Sequence, residues 1–244
     1  MVNPVLVFDQ VSLRYNGAPL LENINFTISP GEHICLLGKS GVGKTSLLNC
    51  ITNTKTISKG TIYFNGIASN NKDYKQLKKQ FSFLDQVPNL IDTDFVYDAI
   101  WREAKNNLKW WQRLFLVEPQ SLREQIIQIL EEVNLKEYVT YIIKDLSGGQ
   151  KQRVEVAKLF FANSQVLLVD EPTTGLDLIN AHKIMELIIQ FARQKAMTLI
   201  FVTHDVEFAL KYSDRIIALK NKALVLDQAT NKLTKQKLMQ IYHD

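Results

Sequence analysis

The stretch HICLLGKSGVGKTSLLNC, His33 to Cys50, is where the fold is decided. Its first residues, His33–Leu37, make a short apolar strand, the glycines that follow punctuate a loop, and Lys44 through Cys50 carry a helix pattern. Inside it, GKSGVGKT (Gly38 to Thr45) has the spacing of a phosphate-binding loop in the strand–loop–helix setting that such a loop demands. The glycines let the backbone wrap a phosphate chain with its N–H groups pointing inward, and the dipole of the next helix adds to the attraction. Lys44 is suited to reach β- and γ-phosphates, and Thr45 offers a hydroxyl to Mg2+. The competing reading is a glycine-rich turn before a helix. The strand on one side and the helix on the other favour the phosphate loop.

Working outward, the chain before this stretch reads as strands. VLVFDQVSLRY alternates in part, LLENINFTIS alternates clearly at Ile24, Phe26 and Ile28, and Pro30-Gly31 supplies a turn. After it, KGTIYFNG is a strand bounded by Gly60 and Gly66, and FSFLD, Phe81 to Asp85, is another. Between Thr93 and Val139 the texture changes to helix formers, with Ile126, Ile129, Leu130 and Val133 at core-face spacing. Pro119 breaks this run, and the spacing predicts a new helix from about Gln120-Ser121. The segment reads as a helical lobe inserted in an α/β domain. QVLLVDE then returns as a nearly continuous apolar strand of the kind covered by helices on both faces. A helix over Asn180–Gln194, a strand over Met197–Thr203 and a short helix over Val206–Tyr212 follow. Arg215–Leu219 and Ala223–Leu226 form a closing strand pair, and the polar tail NKLTKQKLMQIYHD a last helix.

A chain of 244 residues, 46% apolar, has the size and composition of a globular protein with a substantial core. The most apolar stretch near the end, MTLIFVT, is strand-sized, and the N-terminus MVNPVLVFDQ lacks the basic start of a signal peptide. Cys35 and Cys50, the only cysteines, have apolar neighbours and read as buried thiols suited to a reducing compartment. The net charge of +4 permits contact with anionic lipid, but Lys and Arg are scattered among Asp and Glu, so no nucleic acid partner is expected.

Asp170 and Glu171 end the strand Val166–Val169, at the strand tip where open α/β sheets bind ligands. Asp170 is suited to hold Mg2+ through water, and Glu171 to polarise the water that attacks a γ-phosphate. A pair of acids solvating a strand end is the simpler reading of the two alone; a phosphate loop in the same chain weighs against it. His204, at the tip of MTLIFVT, could sense a γ-phosphate and hold the water-activating group, although a lone histidine there reads first as structural. Gln86, after Phe81–Leu84, offers an amide to metal and water or is a surface residue. Tyr15, just before Asn16-Gly17, stacks on a base or merely packs. The pair Trp110-Trp111, with Phe115 and Leu116, is either a partner surface or a small core for the lobe.

The segment LSGGQKQRVEVAKLF followed by VLLVDEP resembles the signature and Walker B segments of ATP-binding cassette (ABC) ATPases. The rest of that family's set follows in order: Tyr15 matches the adenine-stacking aromatic and Gly38–Thr45 the Walker A loop, with Lys39, Ser40, Gly41, Val42, Gly43 and Ser46 around the phosphates. Gln86 matches the Q-loop glutamine, Leu146–Gln150 the signature, Asp170 and Glu171 the Walker B aspartate and catalytic glutamate. TGLD, ending at Asp177, matches the D-loop and His204 the switch histidine. The resemblance covers nearly the whole chain. It implies a P-loop NTPase of the ABC ATPase type: a RecA-like core, an antiparallel β subdomain and an inserted helical subdomain. All lie in one domain over 1–244, with β subdomain and core at about 1–92 and 160–244, and the helical part at about 93–159.

By the same resemblance, ATP and Mg2+ are bound with Lys44, Gln86, Glu171 and His204 in the reaction, and with Thr45, Gln86 and Asp170 at the metal. Two copies pack head to tail, so that Ser147, Gly148, Gly149 and Gln150 close over the partner's ATP and Asp177 joins the two sites. The further partners implied are transmembrane permease subunits, contacted near Gln86 and the helical lobe, and a periplasmic or lipid-anchored solute-binding protein acting through them. The ATPase then lies on the cytoplasmic face of the membrane. The insert NNLKWWQRLFLVEPQSLREQIIQILEEVNL looks like that of phosphonate-import ATPases through Arg123, Leu130, Glu131, Val133 and Leu135, with Asn134 where a glycine is usual. Asp85 before Gln86, and TTGLD in the D-loop, depart from that pattern. Phosphonate or a related phosphorus oxyanion is the cargo this implies; an amino-acid importer or a lipoprotein or peptide exporter is the alternative, and a soluble ABC protein of nucleic acid or translation a more distant one.

Overall fold

The structure, a computed structural model, describes residues 3–108 and 118–243. It divides into two units, one made of Met1–Phe83, Ser164–Glu171 and Ala192–Asp244, the other of Leu84–Asn163 and Pro172–Phe191. In chain order the elements are β1 (Leu6–Tyr15), β2 (Ala18–Ile28), β3 (His33–Leu37), α1 (Lys44–Cys50), β4 (Ile57–Phe64), β5 (Ile67–Ala68), the single turn α2 (Tyr74–Leu77) and β6 (Phe81–Leu84). Next come α3 (Val96–Ala104), α4 (Gln120–Glu132), α5 (Gly148–Leu159), β7 (Val166–Asp170) and α6 (Leu178–Gln194). The chain closes with β8 (Thr198–Thr203), α7 (Val206–Tyr212), β9 (Arg215–Lys220), β10 (Ala223–Ala229) and α8 (Lys235–His243). Trp110, Trp111, Phe115 and Leu116 lie outside the described residues.

The first unit holds two sheets of different chemistry. Strands β2-β1-β4-β5 form an antiparallel sheet whose residues alternate between core and solvent, as period-2 patterning dictates. Its β1–β2 hairpin turns at Asn16-Gly17, where φ is +48° and +81°, the left-handed pair that Asn-Gly adopts at least cost. The second sheet runs β10-β9-β3-β8-β7-β6. Every residue of β3, β7 and β8 is buried, as expected of parallel strands covered on both faces. Strand β3 pairs in parallel with β8 and β9, β7 pairs in parallel with β8, and β9 turns back on β10 as an antiparallel hairpin.

Register follows from this order. Leu37 sits opposite Thr203, and Val202 opposite Asp170, so the carboxyl ends of β3, β8 and β7 lie side by side. The core beneath them joins Leu6, Leu13 and Ile28 of the antiparallel sheet to Leu48 of α1 and to Leu168 and Ile200 of the parallel sheet.

The second unit is helical with its own core. The apolar face of α4 (Leu122, Ile126, Ile129, Leu130) packs with Val96 and Ile100 of α3 and Val154 of α5. Helix α4 starts directly after Pro119, where its spacing predicts, and stops at Asn134, whose φ is +57°. The Asn134 N–H bonds the Glu131 carbonyl and the Leu135 N–H the Leu130 carbonyl, the paired bonds of a Schellman stop. Asparagine tolerates that left-handed position, which explains how it stands here without disrupting the helix end.

One buried group ties stability to pH. His33, 2% exposed at the start of β3, has no partner for Nδ1 among the described residues. Burial holds its pKa below the ordinary 6.5, and Arg193 pushes the same way, against Asp214 and a bond to the Met197 backbone. A histidine that stays neutral when folded but protonates when unfolded contributes stability above the unfolded pKa, lost as pH falls through it. The thermal midpoint is therefore expected to drop as pH is lowered through about 6.5 and on towards the lower folded value. His33→Gln should lack that part of the acid-side loss when scanning calorimetry is repeated across the same pH range.

Candidate functional site

The loop between β3 and α1 is shaped by three glycines for two reasons. A Cβ on Gly38 would lie 2.8 Å from Val42 Cγ1 and 2.9 Å from the Leu219 carbonyl oxygen, so backbone from β9 leaves no room for one. Gly41 and Gly43 hold φ of +79° and +107°, which side chains resist. Lys44, the first residue of α1, is only 4% exposed. Its Nζ donates to the carbonyls of Gly38 at 2.9 Å and Lys39 at 3.2 Å. The ammonium is thereby folded back into the loop it follows.

The strand ends bring the other groups in. Thr45 Oγ1 donates to Asp170 Oδ1 at 3.0 Å. Glu171 Oε1 lies 3.4 Å from Lys44 Nζ, and Oε2 lies 3.3 Å from His204 Nδ1. Lys44, Glu171 and His204 thus form one line across the ends of β3, β7 and β8. Glu171 has φ +40°, in a region costly for a glutamate by about 1–3 kcal/mol. Behind His204, Thr203 Oγ1 accepts from the Asp205 N–H, and Asp205 caps α7 by accepting the N–H groups of Glu207 and Phe208. Buried Lys44 beside main-chain carbonyls and a carboxylate, with an adjoining hydroxyl–carboxylate pair, is a site for a polyanion and a hard cation.

The other residues singled out in the sequence divide between the same loop and helix, the end of β1, and the second unit. Tyr15, 67% exposed, ends β1 at the hairpin. Lys39 and Ser40 are exposed on the loop, and Ser46 is half-buried in α1. Gln86, Ser147–Gln150 and Asp177 belong to the second unit. There Ser147 caps α5 in a reciprocal box: Gln150 N–H donates to Ser147 Oγ at 3.3 Å, and Ser147 N–H to Gln150 Oε1 at 2.8 Å. A Cβ on Gly149 would touch Leu176 at 3.6 Å, whereas one on Gly148 would meet nothing within 4 Å. Asp177 accepts the Asn180 N–H at 3.0 Å, a bond that holds its carboxyl below the usual range. Gln86 is exposed in irregular backbone after β6.

The profile of the ABC transporter family matches residues 21–174 of this sequence. The chain belongs to the ABC transporter ATPase family. It is 62% identical, over 98% of both chains, to the probable ABC transporter ATP-binding protein p29 of Mycoplasma genitalium. It is also 31% identical to phosphonates import ATP-binding protein PhnC 2 of Synechococcus, over 98% of this chain and 90% of that one. Among solved structures it is similar to a dimeric ATP-binding cassette in a post-hydrolysis state bound to ADP and Pi, with TM-score 0.77, 26% identity, and 92% and 98% of the two chains covered. The fold is that of the ABC ATPases, an α/β P-loop architecture with a RecA-like core, and the chain is an ATP hydrolase. No helix among the described residues is long and apolar enough to cross a membrane.

Sequence reasoning passed over two contributors. The Leu219 carbonyl that makes Gly38 obligatory acts through backbone, which leaves no trace in residue type. Glu155 had a visible signal: it is an acid flanked by Val154, Val156 and Ala157 in α5, where it is buried together with Gln152.

Proposed function

We propose that this ABC ATPase drives a membrane importer, and that its cargo is a phosphonate or a related phosphorus oxyanion. The observation that carries the hydrolytic part is the Lys44–Glu171–His204 line beside the Thr45–Asp170 pair at adjacent strand ends. In this reading the two units act as one ABC ATPase domain on the cytoplasmic face of the membrane. The phosphates of ATP lie in the Gly38–Ser46 loop, facing its N–H groups, with the adenine on Tyr15. Lys44 leaves Glu171 for the β- and γ-phosphates, which frees the Glu171 carboxylate to accept a proton from the attacking water. His204 keeps Glu171 aimed.

The oxygen donors Thr45, Asp170 and Gln86 suit Mg2+, Asp170 acting through water; when bound, the ion supplies positive charge to the phosphate oxygens. A second copy packs head to tail, placing Ser147–Gln150 over the partner's ATP and Asp177 near the junction. Gly148 supports this: its φ is not positive and its Cβ position is open, so nothing among the described residues requires a glycine there. Closure and reopening of the dimer move permease subunits that receive cargo from a solute-binding protein.

The phosphonate cargo is supported by the likeness of the helical insert and by the PhnC relative. Purification of the chain with its permease from native membranes, followed by reconstitution with the binding protein, tests it. ATP hydrolysis is expected to rise on adding an alkylphosphonate but not a neutral amino acid; stimulation by the amino acid alone would reassign the cargo.

A further inference from the structure

The phosphate loop has a second surface, away from the carboxylates that face Lys44. Val42 Cγ1 already fills the space where Gly38 would carry a side chain. Val42 also lines a cavity of about 60 Å3, together with Lys39 of the same loop, Leu37 at the end of β3 and Leu219 of β9. Leu238, from α8, lines the same cavity and is only 1% exposed. Helix α8 is held from two sides. Lys235 pairs with Glu207 on α7, and Lys237 Nζ donates to Gln228 Oε1 of β10 at 2.8 Å.

The loop needs outside support. Gly41 and Gly43 give its backbone freedom that other residues would remove. The bond from the Val42 N–H to the Lys39 carbonyl is 3.3 Å, longer than the usual range, which leaves packing to hold that turn. We propose that Leu238 is a positioning residue for nucleotide binding: as the wall of the cavity beside Lys39 and Val42, it keeps the loop in the form whose Gly38 and Lys39 carbonyls hold the Lys44 ammonium. This rests on the reading of Gly38–Ser46 as the site of the ATP phosphates. Truncating Leu238 enlarges the cavity beside Val42 and lets the loop sample forms that do not receive phosphate. Binding then weakens by the fraction of time the competent form is lost.

The test uses the full chain. Leu238→Ala is compared with Leu233→Ala, which removes the same atoms from a buried position, 9% exposed, that does not line the cavity. Leu238→Met, which keeps the volume, is the rescue. In Leu238→Ala the Val42 amide should exchange faster, and the Kd for ATP should rise about tenfold, as when a loop holds its competent form about a tenth of the time. Turnover at saturating ATP should stay near wild type, because bound phosphate then holds the loop. Inorganic tripolyphosphate, which has no base, should show the same loss of affinity. Leu233→Ala should lower the thermal midpoint as much but leave the Kd unchanged, and Leu238→Met should restore it. Should Leu238→Ala fail to fold, Leu238→Val is a smaller truncation and is read in the same way against Leu233→Val. An unchanged Kd in Leu238→Ala, or a rise matched by Leu233→Ala, overturns the positioning role. So does a loss confined to ATP and absent for tripolyphosphate. If Lys44→Ala binds ATP as tightly as wild type, the reading of the loop on which the inference rests is what falls.

Discussion

Glu171→Gln is expected to lower ATP turnover by about 10²–10⁴-fold, the usual weight of a general base, while ATP still binds. The structure gives separate grounds for the two halves of this result. The carboxylate that would take the proton of the attacking water is Glu171, set at φ +40°, with its oxygens 3.4 Å from Lys44 Nζ and 3.3 Å from His204 Nδ1. Glutamine has the same length and meets the same backbone requirement, so the shape of the site survives while the base is removed. Lys44 also keeps its bonds to the Gly38 and Lys39 carbonyls and loses an anion that competes with phosphate. Affinity for ATP should therefore hold or tighten. Equilibrium binding of a fluorescent ATP analogue, beside steady-state phosphate release, reads both quantities. Wild-type turnover would sink the role assigned to Glu171.

Gly148→Arg is expected to abolish ATP-induced dimerisation and cut turnover by about 100-fold, the scale at which misplaced reacting groups lose their rate. Binding of ATP to the isolated chain should change little. Substituting Ser147 instead would mix two effects, because Ser147 caps α5 and its loss costs about 0.5–2 kcal/mol of helix stability. At Gly148 a Cβ meets nothing within 4 Å among the described residues, so the substitution is expected to spare folding and block only an approaching surface. Sedimentation with ATP in the Glu171→Gln background, where hydrolysis does not dissolve the dimer, separates the cases. A dimer formed as readily by the Gly148→Arg chain would mean that this glycine does not face a partner.

Much of the fold could be read from the residues, and the reasons are local. Helices α1 and α7 have the bounds that the spacing predicts, because their starts are set by Gly43 and by the Asp205 cap within one turn. The nearly continuous apolar run of β7 identified it as a buried strand covered on both faces. Shorter features escaped: β5, a two-residue strand, and α2, a single turn, lack enough residues to show a period. For the site, the residue types and their strand-tip positions were legible, since glycine, lysine and carboxylate each answer a local chemical demand.

What the sequence determined by itself was therefore the set of parts: a phosphate-shaped loop, acids and an imidazole at strand ends, a capped signature helix, and a family whose motifs carry those roles. Only the tertiary structure decided which parts meet. The order β3-β8-β7 sets Lys44 against Glu171 and Glu171 against His204, and the Leu219 carbonyl is what bars a side chain from Gly38. It likewise turned Glu155 from one more helical acid into a buried acceptor for Lys158. Loop and cap preferences act over a few neighbouring residues, whereas strand order and close approach arise from packing between segments far apart in the chain.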